Sequence, residues 1–411
     1  MPPRVLHLST YDTNGGAARA AYALHRAMVD SGIESRLLVG RSGTGDPTVH
    51  QVSQPRFRAA SELDRVTWRL QRSANDAWRS PARFGALSAD WINASGADIV
   101  NLHWVTDGFL SVREIGRITK PIVWSLVDMW PFSGTEHYGA DTADARWRAG
   151  YTRENRSPGD SGIDLDRLTW ERKSRMWTRP MHVVAASTWM HDRVEASALF
   201  QGWPVTRIPH VIDSTAFQPA DQRQARSRLA LPAHRPVVLF MSSGGITDDR
   251  KGWDLLRGAL PHVQEAYPDL LVAVAGPAAP DSTSAAGMPI VWLGHVAGDA
   301  ALRETYAAAD VVAVPSREDN MPLVAMEAQT SGRPVVAFRI GGLPDIVEHG
   351  VTGYLASPFD LDDMATGLQW SLEDSRGDRR WSTASRARAV RTWSPETVVA
   401  GYLALYDSVM A

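Results

Sequence analysis

Cysteine is absent from the 411 residues, which excludes a disulfide framework, a thiolate nucleophile and any cysteine–zinc site. Lysine is nearly absent: of 43 basic residues only Lys120, Lys173 and Lys251 are lysines. Codon usage explains the bias, and it makes each of the three worth following. No apolar run approaches the roughly 20 residues of a membrane-spanning helix. The opening Met1–Thr10 turns polar too soon for a signal-peptide core, so a soluble cytoplasmic protein is expected. Low-complexity tracts and short repeats are also missing. What remains is ordinary globular composition, 44% apolar and 22% charged, which argues against disorder. At roughly 100–200 residues per domain the length suits two.

Strand and helix patterns alternate twice. Short apolar runs at 5–8, 36–39, 98–103, 121–126 and 181–185 predict strands, with helices at about 17–29 and 109–118 between them. Alternation of this kind implies a parallel sheet covered on both faces. The pattern pauses over a polar stretch from Gln218 to Arg235, expected to be a linker near 209–235. It resumes with strands at 236–240, 270–275, 291–293, 311–314 and 334–338 and helices at 252–266, 298–308, 322–331 and 360–373. Two similar α/β halves are therefore expected, 1–210 and 211–394. In such sheets ligands bind outside the carboxyl ends of the strands.

The most informative segment is Pro315–Glu327, followed by Gly332-Arg-Pro-Val-Val336. A strand ends at Val314, a polar loop follows and a helix begins near Pro322. The free N–H groups of that helix start suit a phosphate, and Asp319 and Glu327 flank it as possible acceptors for sugar or ribose hydroxyls. From spacing alone, a helix-capping acid and a solvated helix acid are the favoured reading of the pair. Gly15 and Gly16 after the first strand allow close approach of a ligand, although the third glycine of a dinucleotide fingerprint is missing. His103 and Asp128 each end an apolar run, where strand ends point toward a ligand. Asp164-Leu-Asp166 and Asp360-Leu-Asp-Asp363 imitate a metal motif but precede helices and are better read as caps; no metal site is expected. Residues 56–83 carry seven arginines against three acids, with Trp68 and Trp78 among them. That segment is either a solvated face or a contact for an anionic membrane or acceptor. The net charge of −3 and the lack of any nucleic-acid motif exclude nucleic acid as a partner.

With an acid, seven residues and Glu327, then Gly-x-Pro-Val-Val, this chain resembles glycosyltransferase family four, retaining nucleotide-sugar transferases of the GT-B fold. Further likeness lies in Lys251-Gly-Trp-Asp-Leu-Leu256, Gly341-Gly-Leu-Pro-Asp-Ile-Val347 and Gly350-Val-Thr-Gly-Tyr-Leu355. Gly15–Leu24, Asn101-Leu-His-Trp104 and Trp124–Phe132 resemble a bacterial polysaccharide-type subgroup. The resemblance implies two Rossmann-like domains with parallel sheets facing a central cleft, and a last helix, about 395–411, packing back on the N-terminal domain. It implies a nucleotide-diphosphate sugar as donor, no cofactor or metal, and a glycan, lipid-linked or small-molecule acceptor, with the enzyme cytoplasmic or peripheral on the inner membrane face.

Carried over by position, Asp319 holds the donor sugar and Glu327 the ribose, with Asn320, Met321, Pro322 and Leu323 along the sugar and phosphates. The family usually has Glu first, so Glu318 is the alternative contact. Lys251 meets the diphosphate, and Gly15, Gly16 and Gly245 face it. The family's arginine near Gly244-Gly-Ile246 is either replaced by Arg250 or absent. Catalytic roles fall to Lys251, Asp319, His103 and Asp128. Where the family has a sugar-contacting His, this chain has Val127; His103 compensates, or the donor sugar differs. A nucleotide-sugar epimerase and a non-catalytic nucleotide-sugar-binding protein are the alternatives.

Overall fold

The computed structural model describes residues 2–73, 78–277, 284–285 and 288–411. The chain forms two units, Met1–Pro209 with Val399–Ala411, and His210–Val398. Strands of the first unit are β1 Val5–Tyr11, β2 Ser35–Arg41, β3 Val49–Gln51, β4 Gln71–Arg72, β5 Ile99–Leu102, β6 Ile122–Leu126, β7 Ser161–Gly162, β8 His182–Ala185 and β9 Val205–Arg207. Seven of them make one sheet in the order β3-β2-β1-β5-β6-β8-β9, every neighbouring pair parallel. The remaining two, β4 and β7, pair antiparallel by themselves. Because helices cover both faces, strand residues on either side are apolar: Leu8, Val39, Val100, Leu102 and Trp124 are fully buried. Each contributes roughly 1.5–3 kcal/mol relative to exposure.

Helix Gly15–Asp30 buries Ala20, Leu24, Ala27 and Met28, the face its 3.6-residue period predicts. Beneath β6 lies an aromatic cluster in which Trp124, Trp130, Trp177 and Phe200 meet with centroids 5.2–6.5 Å apart. Lys173, from helix Leu165–Met176, is wholly buried there. Its ammonium sits 3.9 Å from the Trp130 ring and donates to the carbonyls of Trp130, Ser133 and Gly134. Burial pushes its pKa well below the ordinary lysine value. The C-terminal residues bond to side chains of β6 and β5: Tyr402 bonds Ser125 at 2.8 Å and Tyr406 bonds Asn101 at 2.6 Å.

The second unit contains β10 Val237–Met241, β11 Leu271–Ala275, β12 Ser284–Ala285, β13 Met288–Gly294, β14 Val311–Val314, β15 Val335–Phe338 and β16 Gly353–Ala356. Their order is β12-β13-β11-β10-β14-β15-β16, parallel except at the short β12 edge. In each unit the first strand lies inside the sheet, between its successor and a later strand. The chain therefore reverses direction beside β1 and beside β10, which opens a crevice at the carboxyl ends of β1/β5 and of β10/β14.

One reading needs correction. The expected linker is folded: Gln222–Arg228 is a helix, and its buried Arg226 bonds Asp310 and the carbonyls of Ala308, Ala233 and Arg235. Its polarity hid it, because an arginine satisfied by carbonyls leaves no apolar period. Strands β3 and β9, of three residues each, are too short to have declared themselves, and β16 opens on a glycine and offers only Tyr354-Leu-Ala356 as an apolar run.

Candidate functional site

In the second unit the crevice is walled by the loops that follow β10 and β14. After β10 the chain makes a tight turn at Gly245–Thr247 and another at Asp249–Lys251 before helix Trp253–Ala266. After β14 it runs from Pro315 to the helix Leu323–Thr330, whose N-cap is Pro322. The loops brace one another across the crevice. Arg317 donates its backbone N–H to the Arg250 carbonyl at 2.8 Å and its guanidinium to both carboxylate oxygens of Asp254 at 2.8 and 2.6 Å. In return Arg250 donates to the Glu318 carbonyl at 3.1 Å.

Within this brace Lys251 Nζ donates to Asp319 Oδ2 at 2.6 Å. Ser316 Oγ donates to the same oxygen at 3.1 Å, and Arg250 lies 3.5 Å from Oδ1. Asp319 is 6% exposed, while the Lys251 side chain is 19% exposed. Burial works to raise the Asp319 pKa, but the Lys251 and Arg250 charges outweigh it and hold the carboxyl below its usual range. Two glycines make this placement possible. An added Cβ at Gly341, φ +54°, would lie 2.0 Å from the Asp319 carbonyl oxygen, and at Gly252, φ +70°, 2.0 Å from that of Pro315. Both positions have left-handed backbone in which side chains are strained.

The sequence thus brought Arg250, Lys251, Glu318 and Asp319 to one place. The Asp319 carboxylate lies inside with Lys251, and the Glu318 side chain is half-buried. Asn320, Met321 and Leu323 are buried beside it, with Pro322 capping the helix. Glu327, 1% exposed, sits one turn further on, and its Oε2 accepts from Tyr306 Oη at 2.7 Å. Gly245 backs onto the Pro277 carbonyl. Sequence reasoning missed Arg317 and Tyr306. Tyr306 lies in the apolar stripe of helix Asp299–Ala308, and a buried tyrosine there needs a partner for its hydroxyl.

The first unit has its own cluster at the strand ends. Asp128, just past β6, is saturated with donors: the Trp130 N–H on Oδ1 at 3.0 Å, and Trp104 Nε1 and His137 Nδ1 on Oδ2 at 3.0 and 2.6 Å. His137 Nε2 meets Ser80 Oγ at 2.8 Å. His103, just past β5, bonds His7 and Asn101. His137 was not singled out from the sequence. Gly15 and Gly16 start the helix after β1, and a Cβ at either would meet nothing within 4 Å. The two aspartate pairs that imitate a metal motif are capped helix starts: Asp164 accepts from Arg167 N–H, and Asp360 from Asp362 and Asp363 N–H. Among the described residues His191, Asp192 and Glu195 bring three ligand atoms within 4.8 Å of one another, largely exposed.

Residues 235–374 match the family model described as Glycosyl transferases group 1. A D-inositol 3-phosphate glycosyltransferase of Segniliparus rotundus is 32% identical over 235 residues, 54% of this chain and 51% of the relative. The sulfoquinovosyl transferase of Arabidopsis thaliana is 36% identical over 169 residues, 40% of this chain and 32% of the relative. The chain thus spans about half, or less, of the length of these curated relatives. Over nearly the whole chain the fold matches Anabaena HepE, solved with UDP and glucose, at TM-score 0.67 and 17% identity, covering 99% of this chain and 100% of that one. It also matches sucrose-phosphate synthase of Thermosynechococcus elongatus at TM-score 0.67 and 16% identity, covering 99% of each. Both sheets and these likenesses agree on the GT-B fold, and residues 235–374, about a third of the chain, are similar to the glycosyl transferases group 1 family.

Proposed function

We propose that the protein transfers a sugar from a nucleotide-diphosphate sugar to an acceptor hydroxyl with retention of configuration, the second unit holding the donor and the first the acceptor. The observation that carries this reading is the buried Asp319 carboxylate fixed by Lys251 and Arg250 beside the start of helix Leu323–Thr330. A diphosphate arriving at that helix start meets free N–H groups and two cations. As the sugar–phosphate bond loosens, charge grows on the leaving diphosphate, where Lys251 and the N–H groups stabilise it. Asp319 is then the acceptor for hydroxyls of the transferred sugar and Glu327, steadied by Tyr306, for those of the ribose. The cations are supplied by the chain, so turnover is expected to survive chelation of divalent metals. HepE was solved with UDP-glucose, and the names of the relatives and neighbours are those of transferases and synthases, which favours transfer over epimerisation or binding alone. The test is a panel of nucleotide sugars scored by thermal shift, followed by mass detection of products with and without acceptors. A stabilising donor that yields a glycosylated acceptor supports the reading. Donor isomerised without acceptor, or no donor bound, rejects it.

The finer reading concerns the membrane. Among the described residues no helix is long and apolar enough to cross one. Helix Gln54–Trp68 nevertheless exposes Leu63 and Val66, and Leu70 continues the same face; each is half exposed, as is Trp78. Arg58, Arg65, Arg69 and Arg72 are exposed around them; residues 74–77 of this basic segment lie outside the described residues. Apolar side chains rimmed by arginine suit the headgroup layer of an anionic bilayer, which would bring a lipid-linked acceptor to the first unit.

A further inference from the structure

Helix Arg380–Trp393 of the second unit carries two arginines whose hydrogen bonds, among the described residues, all go to main-chain carbonyls. Arg386 Nη1 donates to the carbonyl of Thr330 at 2.8 Å and to that of Phe217 at 3.3 Å, and its Nη2 donates to that of Ser214 at 2.8 Å. Arg388 donates to the carbonyls of Ile346 at 2.9 Å and Asp345 at 2.7 Å, with the Glu348 carboxylate 4.0 Å from its Nε. The helix is seated by Ser385, Ala389 and Trp393, all buried, and Ser385 Oγ donates to the Thr352 carbonyl at 2.9 Å.

These carbonyls are ones a helix cannot pair by itself. At the end of Leu323–Thr330, the N–H groups of Ser331, Arg333 and Gly332 take the carbonyls of Glu327, Ala328 and Gln329. The Thr330 carbonyl is the one left over, and Arg386 takes it. At the end of Leu343–Ile346, the Val347 N–H takes the Leu343 carbonyl, and Arg388 takes those of Asp345 and Ile346. A guanidinium suits this work: its planar fork spans two acceptors, and its charge faces the negative end of the helix. The other ends of the same two helices border the crevice. Leu323–Thr330 starts just after Pro322, its N-cap, three positions beyond Asp319, and its eight residues make a rod about 12 Å long. Leu343–Ile346 starts just after Gly342, whose N–H donates to the Asp319 carbonyl at 3.0 Å, beside Gly341, which the same oxygen crowds. The backbone of Asp319 is thus set by two helices, and one helix holds both from behind.

We propose that Arg386 and Arg388 are positioning residues of the donor crevice: they fix the far ends of the two helices whose near ends place Asp319, so that the crevice is already set before a ligand arrives. Their effect on donor binding rests on the transferase reading, whereas the fixing of Asp319 does not.

The experiment is amide hydrogen exchange on the ligand-free full chain, followed by calorimetry with UDP, ADP and GDP. Losing a hydrogen bond from a charged group should speed exchange over 319–326 in Arg386→Gln and over 341–346 in Arg388→Gln by roughly ten- to a hundredfold. Amides of β10 and β11 should exchange as in the parent. Arg380→Gln, on the same helix with a side chain 83% exposed, should change nothing. Arg386→Lys and Arg388→Lys keep the charge without the fork and should fall between; they carry the test if a Gln variant does not fold. Affinity for the nucleoside diphosphate that binds the parent should fall about tenfold in both Gln variants. Faster exchange spread evenly over the second unit would mean that the arginines only stabilise the fold, and parent-like exchange in both segments would mean that they hold nothing; either overturns the proposal. Parent-like affinity beside fast-exchanging segments overturns the link to donor binding. A parent that binds none of the three nucleotides contradicts the donor reading, and the exchange pattern then decides the positioning by itself.

Discussion

Burial and charge compete at individual residues, and the winner differs from site to site. At Asp319 two cations beat desolvation and the carboxyl stays ionised. At Glu136 desolvation wins. It is buried beside Asp166, which adds to the shift, and its partners Tyr151 and Arg79 offset it only in part, so its pKa rises to about 7. An acid raised in the folded state binds its proton more tightly there than when unfolded. It favours the fold below its unfolded pKa, and that contribution fades as pH climbs toward 7. Glu136→Gln should remove this dependence. Urea unfolding of the two proteins from pH 5 to pH 8 should show the parent losing stability relative to the variant as pH rises. Parallel curves would mean that Glu136 does not titrate in this window.

Among the elements, much of the core and the main motif were legible because they repeat locally. Continuous apolar runs gave the central strands, and the acid–seven–acid spacing put Asp319 and Glu327 on one loop and helix. Arg317 was not legible, because its partner Asp254 lies 63 positions earlier, and the value of Lys173 lies in carbonyls about 40 positions away. Helix Gln222–Arg228 reads as a linker in the sequence for the same reason: its stabilising contacts are long-range hydrogen bonds, not a stripe. The two crossing glycines test how far the loops act as one element. Gly252→Ala and Gly341→Ala each force a carbonyl to move, so both should lower the melting temperature and abolish nucleotide binding. Gly32→Ala, also left-handed but with nothing within 4 Å, should cost only about 1–2 kcal/mol and leave binding intact. Normal binding by folded Gly341→Ala would show that Asp319 need not be held where it is.

The whole molecule divides its charge: 26 basic against 22 acidic residues in 1–210, and 17 against 24 in 211–411. The excess in the first part is concentrated around helix Gln54–Trp68. Exposed charges are screened within about 8 Å at physiological salt, so binding to anionic vesicles should be strong at low salt and fall as salt rises. Replacing Arg65, Arg69 and Arg72 with Gln should remove the salt-sensitive part, while Leu63→Ser with Val66→Ser should weaken what salt leaves. Sedimentation with no protein in the vesicle pellet at low salt would reduce this face to a solvated surface.

Donor recognition by the second unit is the claim on which the functional account stands, and calorimetry of two variants tests it most directly. Asp319→Ala should weaken whole donor and spare the free nucleoside diphosphate, because its assigned partner is the transferred sugar. Glu327→Ala should weaken both, because its assigned partner is the ribose. Losing a hydrogen bond to a charged group costs about 1.5–3 kcal/mol, or roughly ten- to a hundredfold in affinity. With folding confirmed by circular dichroism, that split pattern is the predicted result. Parent-like binding of both ligands by both variants would contradict the account at its most specific residues.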